Sequence, residues 1–201
     1  MPRIRCAKCG RPEGHCLCEF IVGLDSRTRV LILQDPTEAK HALNTGRLAA
    51  LGLHNAELWV GEVFEALPAL LADPGHRPCL LYPGEQAQPL RRMGEDEPAM
   101  LLVVPDGTWR KASRLLHLNP VLASLPRVTL EQPPLSRYRV RKAPAAYALS
   151  TVEAITLALN ALEAPRRFDE LLRPFEVLIE RQITAMGEVT YRRNHLRDGQ
   201  G

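Results

Sequence analysis

Short apolar runs alternate with helically periodic stretches along most of this chain, and few architectures accept that alternation. Residues 100–104, MLLVV, are the clearest buried strand. RVLILQ (29–34), AELWVGE (56–62), CLLY (79–82) and RVTL (127–130) are further strand candidates. Residues 38–53 have the pattern of a helix, and VFEALPALLA (63–72) of a second that Pro68 kinks or shortens. SRLLHL belongs to a helix ending before Asn119-Pro120. STVEAITLALNAL (150–162) has strong helical periodicity, with Ser150 or Thr151 as N-cap. Residues 168–189 form a long final helix with Pro174 in its first turns, before a frayed tail. The polar stretch 84–98 is a connection with at most one helical turn. The implied class is α/β: a mostly parallel sheet with helices on both faces.

A length of 201 residues suits one domain with a small appendage. The hydrophobic fraction of 45% is enough for a sizeable core, and a net charge of +3 does not itself demand a polyanionic partner. No run of 18 or more apolar residues suggests a membrane span, and MPRIRCAKCG lacks the apolar core of a signal peptide. The expected compartment is therefore the cytoplasm, where thiols stay reduced.

That setting gives meaning to Cys6, Cys9, Cys16 and Cys18, spaced C-x2-C-x6-C-x-C among Gly and Pro. Four thiolates converging from a loop suit a tetrahedral zinc, and they leave no open position for catalysis, so the metal is structural. His15 is a competing ligand. Residues 1–22 are the expected zinc-binding segment. Cys79, inside CLLY, fits a buried core position.

The MLLVV strand runs into PDGTWRK. In open α/β sheets, ligands bind beyond the carboxyl ends of strands, where Asp106 falls. Gly107 permits close backbone approach, Thr108 can cap the next helix, and Trp109 offers a flat face. Arg110, Lys111 and Arg114 can reach phosphates. The plain alternative is a strand-to-helix corner with its caps. SRYRVRKAP then places Arg137, Arg139, Arg141 and Lys142 around Tyr138, a combination that suits a nucleic-acid backbone with a stacked base, or else a solvated loop. His41 and His54 fit surface or capping positions, and Glu153 a favourable first-turn carboxylate.

Taken in order, the cysteine cluster, QDPTE (34–38), DGTWRKA, YRVRKAP and LSTVEA resemble the DTW-domain family across nearly the whole chain. That resemblance implies a SPOUT-like α/β domain over residues 23–195, with a C-terminal knot that holds the cofactor. It implies transfer of the 3-amino-3-carboxypropyl group of S-adenosylmethionine to N3 of a uridine in tRNA. Asp106 would be the base. Pro105, Gly107 and Thr108, then Leu130, then Leu149, Ser150 and Thr151 would cradle the cofactor. Trp109, Arg110, Lys111, Arg114, Arg137, Tyr138, Arg139, Arg141 and Lys142 would meet the RNA. One departure is Asp35, where the family pattern suggests His. The rival readings are a zinc-containing RNA-binding module without catalysis and an S-adenosylmethionine-dependent RNA methyltransferase. A thiol redox protein is a poorer fit, because Cys6 and Cys9 precede the first strand. Monomer and homodimer both stay open.

Overall fold

The computed structural model describes residues 4–41, 43–140 and 148–195. Its centre is a six-stranded sheet, every paired strand parallel. The strands are β1 (Arg29–Gln34), β2 (Ala56–Val60), β3 (His76–Leu81), β4 (Gln88–Pro89), β5 (Ala99–Asp106) and β6 (Arg127–Thr129), in the spatial order β2-β1-β5-β3-β6-β4. The helices are α1 (Pro36–Ala39), α2 (Gly46–Gly52), α3 (Leu67–Leu71), α4 (Trp109–Leu118), α5 (Thr151–Leu162), α6 (Arg173–Met186) and α7 (Glu188–His195).

Strand side chains alternate between faces, so each apolar run supplies two cores. Val30, Ile32, Leu102 and Val104 join Leu48 of α2, Ile155 and Leu159 of α5, and Phe175 of α6. Leu31, Leu33, Leu101 and Val103 join Leu67 of α3 and Leu115 of α4 on the opposite face. Helices therefore cover both faces, as the uninterrupted apolar strands require. Leu102 is fully buried. Its truncation to Ala would cost about 2–5 kcal/mol, for lost burial plus the cavity left behind. Leu17, between the third and fourth clustered cysteines, packs into the first core, and Cys79 is buried there as expected.

Several elements differ from the sequence expectation. The single helix over 38–53 is two, α1 and α2. Between them the Asn44 side chain replaces helix hydrogen bonds: its Nδ2 donates to the carbonyl of Glu38 and its Oδ1 accepts from the backbone of Arg47. Pro68 does not kink a helix but starts α3, where its missing N–H costs nothing. The 84–98 connection contains β4, not a helical turn. The final helix divides into a 3₁₀ turn (Asp169–Leu172), α6 and α7. α6 closes where the Gly187 N–H bonds back to the carbonyls of Ile183 and Thr184. The described residues do not establish the expected C-terminal knot, and residues 141–147, ahead of α5, lie outside them. Among the described residues, no helix is long and apolar enough to cross a membrane.

Candidate active site and metal centre

β1 and β5 are neighbours, and their last residues, Gln34 and Asp106, stand in register. α2, in the connection from β1 to β2, packs on one face, and α4, which follows β5, on the other. The loops leaving the two strand ends diverge, which opens a crevice at the topological switch point. A cleft of about 640 Å³ lies there.

Asp106 lines this cleft although only 7% of its surface is exposed. Gln34 Nε2 donates to its Oδ2 at 2.5 Å, and the Thr151 hydroxyl donates to its Oδ1. Gln34 is itself held by Asn44, donating to Asn44 Oδ1 at 3.0 Å and accepting from Asn44 Nδ2 at 3.1 Å. Gly46, the first residue of α2, makes the close approach possible. A Cβ there would lie 2.5 Å from Asp106 Oδ2. Gly107 has φ 155°, a conformation that L side chains rarely adopt, and it turns the chain directly into α4. Thr108 is the N-cap of α4, its hydroxyl accepting from the Lys111 N–H at 3.4 Å.

The structure brings the residues expected to cradle a cofactor around this one cleft. Pro105 comes from the end of β5, Gly107 and Thr108 from the turn into α4, Leu130 from just after β6, and Leu149, Ser150 and Thr151 from the start of α5. Glu153 organises that last stretch. Its Oε2 accepts from the Ser150 N–H and hydroxyl and from the Ser136 hydroxyl, and its Oε1 accepts from the Arg137 N–H at 2.6 Å. A first-turn carboxylate thereby joins the cationic loop to α5, a role that helix periodicity alone does not reveal.

The residues expected to meet RNA divide into two groups. Trp109 is 54% exposed on the cleft wall, edge-on to Tyr82 with ring centroids 5.7 Å apart. Arg110 is exposed on the first turn of α4. Lys111 pairs with Glu38 at 2.6 Å and Arg114 with Glu62 at 2.9 Å. Arg137 and Arg139 pair with Glu176 and Glu180 on α6. Tyr138 is not displayed among those cations. It is buried against Phe175, with centroids 5.3 Å apart, and its hydroxyl donates to the carbonyl of Leu43. The chain bends tightly here, the Arg139 N–H bonding to the Arg137 carbonyl at 2.8 Å, so the ring turns inward while its two arginine neighbours reach α6. Arg141 and Lys142 lie outside the described residues. His54 pairs with Asp25 on the surface, whereas exposed His41 lines the cleft.

Asp35 caps α1, its Oδ1 accepting from the Thr37 N–H at 2.8 Å and from the Thr37 hydroxyl at 2.5 Å. Burial opposes its ionisation, but those two bonds and the charges of Lys111 and Arg114 outweigh it, so its carboxyl sits below the ordinary value.

The four clustered cysteines converge at one point, all ligand atoms within 4.8 Å of one another. The Sγ atoms of Cys6 and Cys18 are 3.6 Å apart, and those of Cys9 and Cys16 are 3.8 Å apart. A tetrahedron with metal–sulfur bonds of about 2.3 Å has edges of about 3.8 Å, whereas a disulfide needs about 2.05 Å. The backbone N–H groups of Cys9 and Lys8, then the thiols of Cys18 and Cys16, bring the Cys6 pKa down to about 6. Burial, then the neighbouring thiols, pushes Cys18 up to about 12. Four thiolates cannot share this space without a cation, and a divalent ion resolves the conflict. His15 is not part of the cluster. Arg181 of α6 donates to the carbonyl of Cys16 at 2.9 Å and fastens the segment to the body.

Several neighbours here escape a reading by motif. Gln34 opens the QDPTE motif but carried no role in it, and Asn44, Gly46 and Tyr82 carried no comparable signal.

No solved structure matches the chain. Over 206 residues the chain is 30% identical to tRNA-uridine aminocarboxypropyltransferase 2 of Macaca fascicularis, covering 96% of this chain and 68% of that protein. It is 31% identical to the protein of the same name from Drosophila melanogaster, covering 90% of this chain and 76% of that one. It is 26% identical to tRNA-uridine aminocarboxypropyltransferase A of Arabidopsis thaliana, covering 79% and 72%. The DTW domain model matches residues 3–183, so the chain belongs to the DTW domain family.

Proposed function

We propose that this protein transfers the 3-amino-3-carboxypropyl group of S-adenosylmethionine to N3 of a uridine in tRNA, releasing methylthioadenosine. The carrying observation is Asp106, a buried acid that ends the central strand and still lines a cleft within the usual size range for ligand sites, roughly 300–1,000 Å³. The relatives' names agree with this reading.

Uridine N3–H is weakly acidic, and N3 becomes a good nucleophile when the proton leaves. Asp106 receives that proton. The N3–carbon bond forms as the carbon–sulfur bond breaks, and the electron pair remains on sulfur. S-adenosylmethionine supplies the electrophile, a carbon activated by its sulfonium. Gln34 and Thr151 aim the Asp106 carboxylate. Pro105, Gly107, Thr108, Leu130, Leu149, Ser150 and Thr151 cradle the donor. Trp109 stacks on a base, while Arg110, Lys111, Arg114, Arg137, Arg139, Arg141 and Lys142 meet phosphates. The exposed ion pairs of Arg137 and Arg139 are worth at most about 1 kcal/mol each, so a phosphate can displace their partners. Tyr138 serves as a wall of the cleft. Cys6, Cys9, Cys16 and Cys18 hold a structural zinc in a segment spanning 1–22, ahead of a catalytic domain spanning 23–195. A cytoplasmic location suits reduced thiols.

The test is incubation of the protein with tRNA and S-adenosylmethionine labelled in the aminocarboxypropyl chain, followed by mass spectrometry of nucleosides. Labelled uridine is expected, and Asp106→Asn should reduce the rate about 10²–10⁴-fold. Label arriving from the methyl group would make the protein a methyltransferase. Calorimetry showing no S-adenosylmethionine binding would leave an RNA-binding module without catalysis.

A further inference from the structure

A second cleft, of about 590 Å³, lies between the cysteine segment, the α1–α2 turn and α6. His41 and Asn44 line both clefts, so the two adjoin. Arg5, Arg11, Lys40, Arg47 and Arg181 line the second, and no Asp or Glu does so among the described residues. Leu17, Leu178 and Met186 supply an apolar floor.

Five cations around one hollow repel one another and require an explanation. Three of them donate to backbone carbonyls, which orient a guanidinium. Arg5 donates to Gly10 at 3.0 Å, Arg11 to Asn44 at 3.1 Å and Arg181 to Cys16 at 2.9 Å. Glu19 lies 3.6 Å from Arg181. A surplus of oriented guanidiniums and ammoniums over an apolar floor is the chemistry that grips a phosphodiester while a ribose or base rests below.

We infer that this second cleft binds the backbone phosphate of a nucleotide flanking the target uridine, so that the RNA strand runs from one cleft into the other across His41 and Asn44. The identity of the strand rests on the transfer reading above; the anion chemistry does not. A splayed single strand suits this path, because a base entering the first cleft must leave its stack.

The experiment uses the full chain with its metal content measured. Arg5→Gln and Lys40→Gln each alter an exposed side chain, and Arg5→Lys keeps the charge. Each Gln variant should bind tRNA about tenfold more weakly and lower the log–log salt slope by about one. Arg5→Lys should restore both, with metal content and S-adenosylmethionine affinity unchanged throughout. In a short uridine-containing RNA, a neutral methylphosphonate at one flanking linkage should weaken wild-type binding by a similar factor. The same replacement should add little in the Arg5→Gln/Lys40→Gln protein. Wild-type RNA affinity and slope in metal-replete variants would overturn the inference. So would loss of inorganic phosphate binding with RNA affinity intact, which would assign the cleft to a free anion. If wild type transfers and the variants match it, the second cleft loses its role and the transfer reading stands. If RNA binds as expected and nothing is transferred, the reverse holds.

Discussion

The catalytic proposal depends on side chains that converge from distant sequence positions. Gly46→Ala tests how tightly they fit. Its methyl group would press on Asp106 Oδ2, so the carboxylate or the start of α2 must shift. A displacement of that order costs about 100-fold in rate. Single-turnover transfer should fall by this factor while the thermal midpoint changes little. Asp106 itself was legible, because an acid closing an apolar strand before Gly-Thr-Trp is conspicuous at short range. Gln34 was not, since its bond to Asp106 spans 72 positions. Tyr138 was misjudged because an aromatic among arginines reads as exposed, while its ring is turned inward onto Phe175.

At the scale of elements, capping decides where helices begin, and two caps lead to measurable outcomes. Asp35→Ala should cost about 1 kcal/mol by removing the α1 cap. The native Asp35 carboxyl lies below its ordinary value, so its contribution is complete above the unfolded aspartate range, near about 3.9. It is lost as pH falls through the native value. Urea midpoints of wild type and variant should therefore differ at pH 6 and converge as the medium is acidified below about 3.9. Glu153→Ala strands the Ser150 and Arg137 N–H groups, and should cost about 3 kcal/mol. Calorimetry should also show weaker S-adenosylmethionine binding, because Leu149 to Thr151 lose their anchor. Periodicity located α4 and α5 well, since each buries a regular stripe. It merged α1 with α2 because Asn44 breaks the helix through contacts made outside it.

For the whole molecule, the cysteine cluster is tied to the sheet's core through Leu17 and to α6 through Arg181. Metal analysis should find about one zinc per chain. Stripping it with a strong chelator should expose residues 4–20 to protease before the sheet is attacked, and should lower tRNA affinity. Limited proteolysis and titration of the same sample check both. The class of the fold was legible because apolar runs and helical stretches alternate. The strand order was not, since nothing local says that β1 lies between β2 and β5.

That order has a consequence during synthesis. β1 emerges early, but its partner Asp106 follows 72 residues later and Thr151 another 45 after that. A nascent chain on the ribosome therefore carries its four clustered cysteines long before it has a working pocket. The pocket around Asp106 is complete only after the start of α5 has left the exit tunnel.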